Sequence, residues 1–292
     1  MTLITIINID ELYWMHGMGR GRKLESLNDF ERALKNKYGI GQGLDYKPWL
    51  RVQDVKSKGT RSLIYGRKSQ REHHMMSSIE SELFYLAEFS NGVTDVREQF
   101  PILPLNYTQK IAKTLGIAHP KHPQTKEPII MTTDQLLTID SFQGTAYHAI
   151  SVKPENDSKD LRVLEKIDIE RVCWELLGVK FSYFTGNDVT RIQSSNLHWA
   201  TSPFRENPIS FSCDQINSAL SIMTARQYFL EDLCNQLISM NITSHDDALL
   251  LIRFLIADKF IDVDLSTNIS ESGLVDVKHV ADSAGGILYG AS

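Results

Sequence analysis

The sequence predicts an α/β fold with a mixed-sheet core and a smaller, mainly helical C-terminal part. Three observations carry that expectation. Between residues 77 and 184 the hydrophobic period switches in the order helix, strand, strand, strand, helix, strand. The helical stretch 160–177 ends at Gly178 and feeds directly into the apolar run 179–184, as a helical crossover into a parallel strand does. Around Ser202-Pro203 and Asn207-Pro208 the pattern breaks, which divides the chain into an expected domain 1–204 and a second one 205–292.

With 292 residues the chain is long enough to bury two cores. Hydrophobic content of 42% and charged content of 23% exclude a disordered or fibrous chain. No apolar run approaches the ~20 residues of a membrane span, and the N-terminal stretch 1–7 lacks the basic flank of a secretion signal. A cytoplasmic location with no membrane partner is therefore expected. Cys173, Cys213 and Cys234 are odd in number and widely spaced, which suits reduced thiols and not a disulfide or zinc framework. The net charge of −5 conceals a gradient along the chain. Residues 1–76 hold 14 basic and 8 acidic side chains, 77–204 hold 12 and 16, and 205–292 hold 5 and 12. The basic first third is the expected nucleic-acid surface, and the acidic last third is better suited to a protein partner.

Taken in order, residues 25–38 read as a short helix closed by Gly39. The glycines of 39–43 are not followed by GK[ST], so they make no phosphate loop. Runs 61–65 and 71–76 form a basic hairpin turning at Gly66-Arg67-Lys68, and with Lys47 they are the expected contact to a DNA backbone. Residues 77–89 read as a helix and 93–100 as a strand, after which Pro101 and Pro104 interrupt regular structure. Strands 129–139 and 146–153 are joined by a turn rich in Asp, Ser and Gly. Beyond the break, helices near 212–241 and 244–258 precede two β-like pieces, 260–265 and 274–279, an order that suggests a winged-helix-like module.

Chemistry enters through misplaced charges. On a helical wheel Ile79, Leu83, Phe84, Leu86 and Ala87 form one stripe with Glu80 inside it, while Glu82 and Glu88 fall outside. A carboxylate on an apolar face needs a partner, a proton or a metal ion, although Ser77-x-x-Glu80 equally fits a capping box. A hairpin closing over 140–146 brings Asp134 opposite Val152 and Lys153, at the ~5 Å of cross-strand neighbours. An ordinary salt bridge has the same pattern. Glu170 lies in the middle of the stripe set by Val163, Ile167, Trp174 and Leu177, where a buried ion pair is the plain alternative. Three acids drawn from solvent in one α/β unit suit magnesium, a hard cation that favours carboxylate oxygens. His73, His74, His119 and His122 have no matching Cys or Glu to complete a zinc site. Arg97, Glu98 and Gln99 read either as the lining of a DNA cleft or as a strand-edge salt bridge.

An acid on a helix, an Asp in one strand and x-x-Lys in the next is the order of the PD-(D/E)xK nucleases. The chain resembles that restriction-endonuclease-like superfamily, and within it is similar to the TnsA-type endonuclease subunits of heteromeric cut-and-paste transposases. The similarity rests on GQGLDYKPWL (41–50), DVREQFP (95–101), MTTD (131–134), VKP (152–154) and LEKIDIER (164–171), and spans roughly residues 40–185. It implies that Glu80 and Asp134 bind Mg2+, or Mn2+ in its place, with the Val152 carbonyl as a further ligand. It makes Lys153 the catalytic lysine and Glu170 a supporting acid. Ser151 departs from the pattern, standing where the superfamily usually has Glu, Asp or Gln. DNA contacts are expected at Lys47, Arg67, Lys68, Arg71, Arg97 and Gln99. The resemblance also implies a bacterial, nucleoid-associated protein that cuts the non-transferred strand at the 5′ ends of a transposon. Its partners would be a DDE-type transposase and an AAA+ regulator docked on the C-terminal domain. The rival expectation is a nuclease-fold adaptor that has lost catalysis, to which Ser151 points.

Overall fold

The computed structural model describes residues 21–55, 59–206 and 209–285. The N-terminal stretch 1–7 and the Asn207-Pro208 part of the expected linker lie outside them. Ser26 caps α1 (Leu27–Lys35). A hairpin of β1 (Ser62–Tyr65) and β2 (Glu72–Met75) follows, then α2 (Ser78–Phe89), β3 (Val93–Pro101), α3 (Leu105–Thr114), β4 (Thr132–Ser141), β5 (Gly144–Val152), α4 (Leu161–Leu176), β6 (Lys180–Phe184) and α5 (Asp188–Thr201). Strands β3-β4-β5-β6 form one sheet in that order, antiparallel except for the parallel β5/β6 pair. The mixed α/β core is the expected one.

Side chains that alternate along each strand divide the interior in two. On one face Val96, Leu137, Ile150 and Val152 pack with Phe84 and Ala87 of α2 and Ile64 and Met75 of the hairpin. On the other, Leu136 and Ala149 meet Ile111 of α3 and Ile169, Cys173 and Trp174 of α4. The sheet is thus clamped at its middle and emerges at one end, where β4 and β5 run on into solvent and Phe142 at their turn is fully exposed.

Two helices differ from the sequence expectation. Pro101 is the last paired residue of β3 and does not interrupt it, and Pro104 is the N-cap of α3, a place where its missing N–H costs nothing. Helix α5 buries Ser194, Asn196 and Thr201 beside Leu197 and Ala200, so its inward face lacks an apolar stripe. Those polar groups are satisfied: the Asn196 amide donates to the Leu265 and Thr267 carbonyls and accepts from Ile269 N.

The C-terminal part holds α6 (Cys213–Ser221), β7 (Gln227–Phe229), α7 (Leu230–Ser239), α8 (Ala248–Ala257), β8 (Ile261–Val263), α9 (Ile269–Ser272) and β9 (Leu274–Val280), with a small antiparallel sheet ordered β7-β9-β8. Its core gathers Leu220, Leu233, Leu237, Leu251, Leu255 and Val275, and also takes in Ala200 and Phe204 from before the expected boundary. Among the described residues no helix is long and apolar enough to cross a membrane.

Candidate active site

Glu80, Asp134, Lys153 and Glu170 come from α2, β4, the residue after β5, and α4, and the fold brings them to one end of the sheet. Ser77 caps α2 by accepting from Glu80 N, and its hydroxyl donates to Glu80 Oε1 at 3.0 Å. Only the serine half of the capping box is made: Glu80 accepts from the Met76 amide and not the Ser77 one, its Oε2 taking Met76 N at 3.0 Å and the Gln99 amide at 3.3 Å. The register is one residue off the expected one: the ladder pairs Gln135 with Ile150, which continues Asp134 toward Ser151 and not Val152. Beyond it, Asp134 Oδ2 accepts from Val152 N at 2.7 Å and from Lys153 Nζ at 2.6 Å, and the ammonium also donates to the Val152 carbonyl at 2.8 Å. Glu170 is buried, interacts with the Thr133 and Ser151 hydroxyls, and keeps Oε1 without a hydrogen-bond partner among the described residues. Its helix buries Ile169, Glu170, Cys173 and Trp174, and leaves Leu177 exposed, so the stripe is rotated from the one expected.

Gln99 joins the two acids in a way that sequence reasoning missed. Its neighbours pair as Glu98 with Gln135 and Phe100 with Thr133, which leaves Gln99 across from Asp134. With φ of +47° it sits in the left-handed region, which a non-glycine residue rarely adopts inside a strand. Its side-chain amide donates to Glu80 Oε2 and, at 3.5 Å, to Asp134 Oδ1, while its Oε1 accepts from the Thr132 hydroxyl. Gln99 is buried here and offers no surface to a DNA backbone.

Electrostatically the cluster crowds three buried carboxyls around one ammonium. Burial first, and then the Asp134 charge, pushes the carboxyls of Glu80 and Glu170 above the ordinary carboxylate range. Burial works against the Lys153 ammonium, but Asp134 outweighs it and holds the lysine above its usual value. One lysine thus neutralises one of three acids. All donors are hard oxygens and Glu170 Oε1 is unpartnered, so the set fits a divalent cation of the magnesium type. Among the described residues no group of three or more His, Cys, Asp or Glu already stands as a metal cage.

Several expected DNA contacts are placed otherwise. Arg71 is buried and bidentate to Glu98, at 2.8 and 2.7 Å, and the same carboxylate takes His73 Nδ1 and the His74 amide. It is a structural tie between hairpin and sheet. Arg67 pairs with Asp258 and donates to the Ala257 carbonyl, so it faces the C-terminal part, while exposed Lys68 is engaged by the Ser90 and Val93 carbonyls. Arg97 lies over the Phe100 and Tyr147 rings near Asp95, whereas Lys47 is exposed. Glu82 and Glu88 are both buried despite their place on the wheel, because α5 covers a second side of α2; Glu88 takes Arg205 at 2.7 Å. His119 is held by the Thr108 hydroxyl and the Pro120 carbonyl, a local structural role.

Comparison with known proteins supports the same region. Residues 90–186 match the family described as TnsA-like endonuclease N terminal. The chain is 38% identical over 169 residues to the transposon Tn7 transposition protein TnsA of Escherichia coli. That alignment covers 58% of this chain and 60% of the relative's length. The resemblance to TnsA-like endonucleases read from the motifs is thus present in both comparisons. The matched family segment holds Gln99, Asp134, Lys153 and Glu170 and begins after Glu80.

Proposed function

We propose that the chain is a magnesium-dependent DNA endonuclease subunit of a transposase, cutting the non-transferred strand at the 5′ ends of its element. The observation that carries this reading is the convergence of three buried carboxyls, Glu80, Asp134 and Glu170, beside the one amine of Lys153. Glu80, Asp134 and the Val152 carbonyl would hold the ion, with Mn2+ able to replace Mg2+. Once bound, such an ion supplies polarisation of the scissile phosphate and stabilises charge on the departing 3′ oxygen.

The chain's own residues do the rest. Lys153, fixed between Asp134 Oδ2 and the Val152 carbonyl, is the donor placed to orient the attacking water and neutralise charge on the phosphate. Gln99 spaces Glu80 and Asp134 without adding charge. Glu170, with one free oxygen and a raised proton affinity, is the acid placed to hold a proton in the neutral range. Ser151 contributes a hydroxyl 3.5 Å from Asp134 Oδ2 where a carboxylate or amide is usual, a weaker ligand.

The order α6, β7, α7, α8, β8, β9 supports a winged-helix-like reading of the C-terminal part. Its third helix, α8, is apolar and buried, and the surrounding sequence is acidic, so the part suits a protein partner such as an AAA+ regulator better than DNA. A DDE-type transposase would cut and join the other strand. Of the expected contacts, exposed Lys47 remains for the DNA backbone.

The decisive assay uses supercoiled plasmid carrying the element's ends, with and without the companion transposase, in magnesium. The parent should nick beside the 5′ ends, and Asp134→Ala or Lys153→Ala should lower the rate on the order of a hundredfold or more. Nicking that persists in both variants overturns the site. DNA and partner binding without cleavage by the parent, in magnesium or manganese, leaves the adaptor reading standing instead.

A further inference from the structure

At the seam between the sheet domain and the C-terminal part lies a cavity of about 270 Å³ walled by Arg67, Lys68, Arg205 and Lys259, with Glu88 as the acid among its lining residues. Glu88 is already engaged by the Arg205 guanidinium and by Arg67 N, and the Arg67 guanidinium by Asp258. Among the described residues the two ammonium groups have uncharged hydrogen-bond partners: Lys68 donates to the Ser90 and Val93 carbonyls, and Lys259 to the Phe89 carbonyl and the Asn91 side chain. Capping the C-terminal carbonyls of α2 accounts for the presence of these lysines. It does not account for their mutual approach, nor for Arg205 Nε, which belongs to a buried side chain and has no hydrogen-bond partner among the described residues.

We propose that this seam pocket binds a phosphate group, with Lys68, Lys259 and Arg205 as its donors. A phosphate offers several oxygens to three donors at once and carries the charge that offsets two ammonium groups. Tyr85 and Phe89, over which Arg205 and Lys259 already lie, give the apolar wall for whatever the phosphate esterifies. Burial and then the neighbouring Lys259 charge push the Lys68 ammonium down to about 8, a repulsion that a bound anion would relieve. Because Lys68 and Lys259 stand on opposite sides of the seam, occupancy would tie the two parts together. The proposal is independent of the nuclease reading, since a chain with no cleavage activity would bind phosphate equally.

Lysine acetylation of the full chain, read by mass spectrometry, tests it. Three arms compare buffer alone, inorganic phosphate, and a blunt DNA duplex, with exposed Lys35 as internal reference. We expect Lys68 and Lys259 to be protected fivefold or more, and the protection of Lys68 to weaken at least tenfold in its phosphate dependence in Lys259→Met. Protection by duplex at concentrations far below those of free phosphate assigns the group to a DNA backbone. Protection by free phosphate with the duplex inert assigns it to a small phosphate ester. Equal modification of Lys68 and Lys259 in all three arms, or equal protection of Lys35, overturns the proposal, and the parent alone decides this if the variant does not fold.

Discussion

Glu98 and Glu80 are both buried carboxylates of the same domain, yet their surroundings give them opposite character. Glu98 has no solvent exposure and accepts from Arg71, His73 and the His74 amide; burial alone would raise its proton affinity, but His73 and Arg71 reverse that and hold it well below the carboxylate range. Removing it strands a buried guanidinium, so Glu98→Ala should cost about 3–5 kcal/mol, seen as a lower urea midpoint, and should do so with or without magnesium. A simple charge effect on the nuclease cluster would instead leave the metal-free midpoint unchanged. Asp54 makes the pH dependence explicit. Burial opposes its ionisation, but Arg51 and Arg22 hold its carboxyl down at about 2, against an ordinary 3.8. A carboxyl lowered in the folded state stabilises the fold in full above its unfolded value and loses that contribution as pH falls through its folded value. The urea midpoint should therefore fall between pH 4 and pH 2, and Asp54→Asn should flatten that part of the profile.

Elements show what was legible from the residues and what was not. The three acids and the lysine stood out because a carboxylate in an apolar helix stripe, or an Asp facing a Lys across a hairpin, breaks a pattern that holds elsewhere. Gln99 broke no such pattern: its place depends on strand register and on one residue with left-handed backbone, neither of which composition encodes. Glu82 and Glu88 were misread because the helix that buries them, α5, hides its own inward face behind serine, asparagine and threonine. The basic hairpin looked like a DNA surface because its arginines are adjacent in sequence, whereas Arg71 and Arg67 point to different carboxylates in space. The loop after α1 has a similar hidden constraint. Gly39, at φ of +74°, bonds to the Lys47 carbonyl, and a Cβ there would meet the Pro101 ring. That loop leads to Tyr46, whose hydroxyl donates to the Glu98 carbonyl, and to Trp49, whose amide donates to the Gln99 carbonyl, so it braces the strand end that carries the site. Gly39→Ala should destabilise by about 1–3 kcal/mol in urea titration, more than a surface glycine would.

At the scale of the molecule, the two cores share α5. It packs on α2 on one side and α8 on the other, and Arg205, just past its end, pairs with Glu88 and the Tyr65 carbonyl. Two domains held this way should unfold together, as one calorimetric transition. Arg205→Ala leaves Glu88 buried with only main-chain donors and should split or broaden that transition; two separate transitions in the parent would show that the seam is weaker than its contacts imply. The β4–β5 arm reaches past the packed layers with Phe142 at its tip. An arm that buries so little there can carry a fluorescent label in place of Phe142 without disturbing the acids at the opposite end of β4. Energy transfer from such a label would then report how a duplex approaches the protein, in real time and in the uncut state.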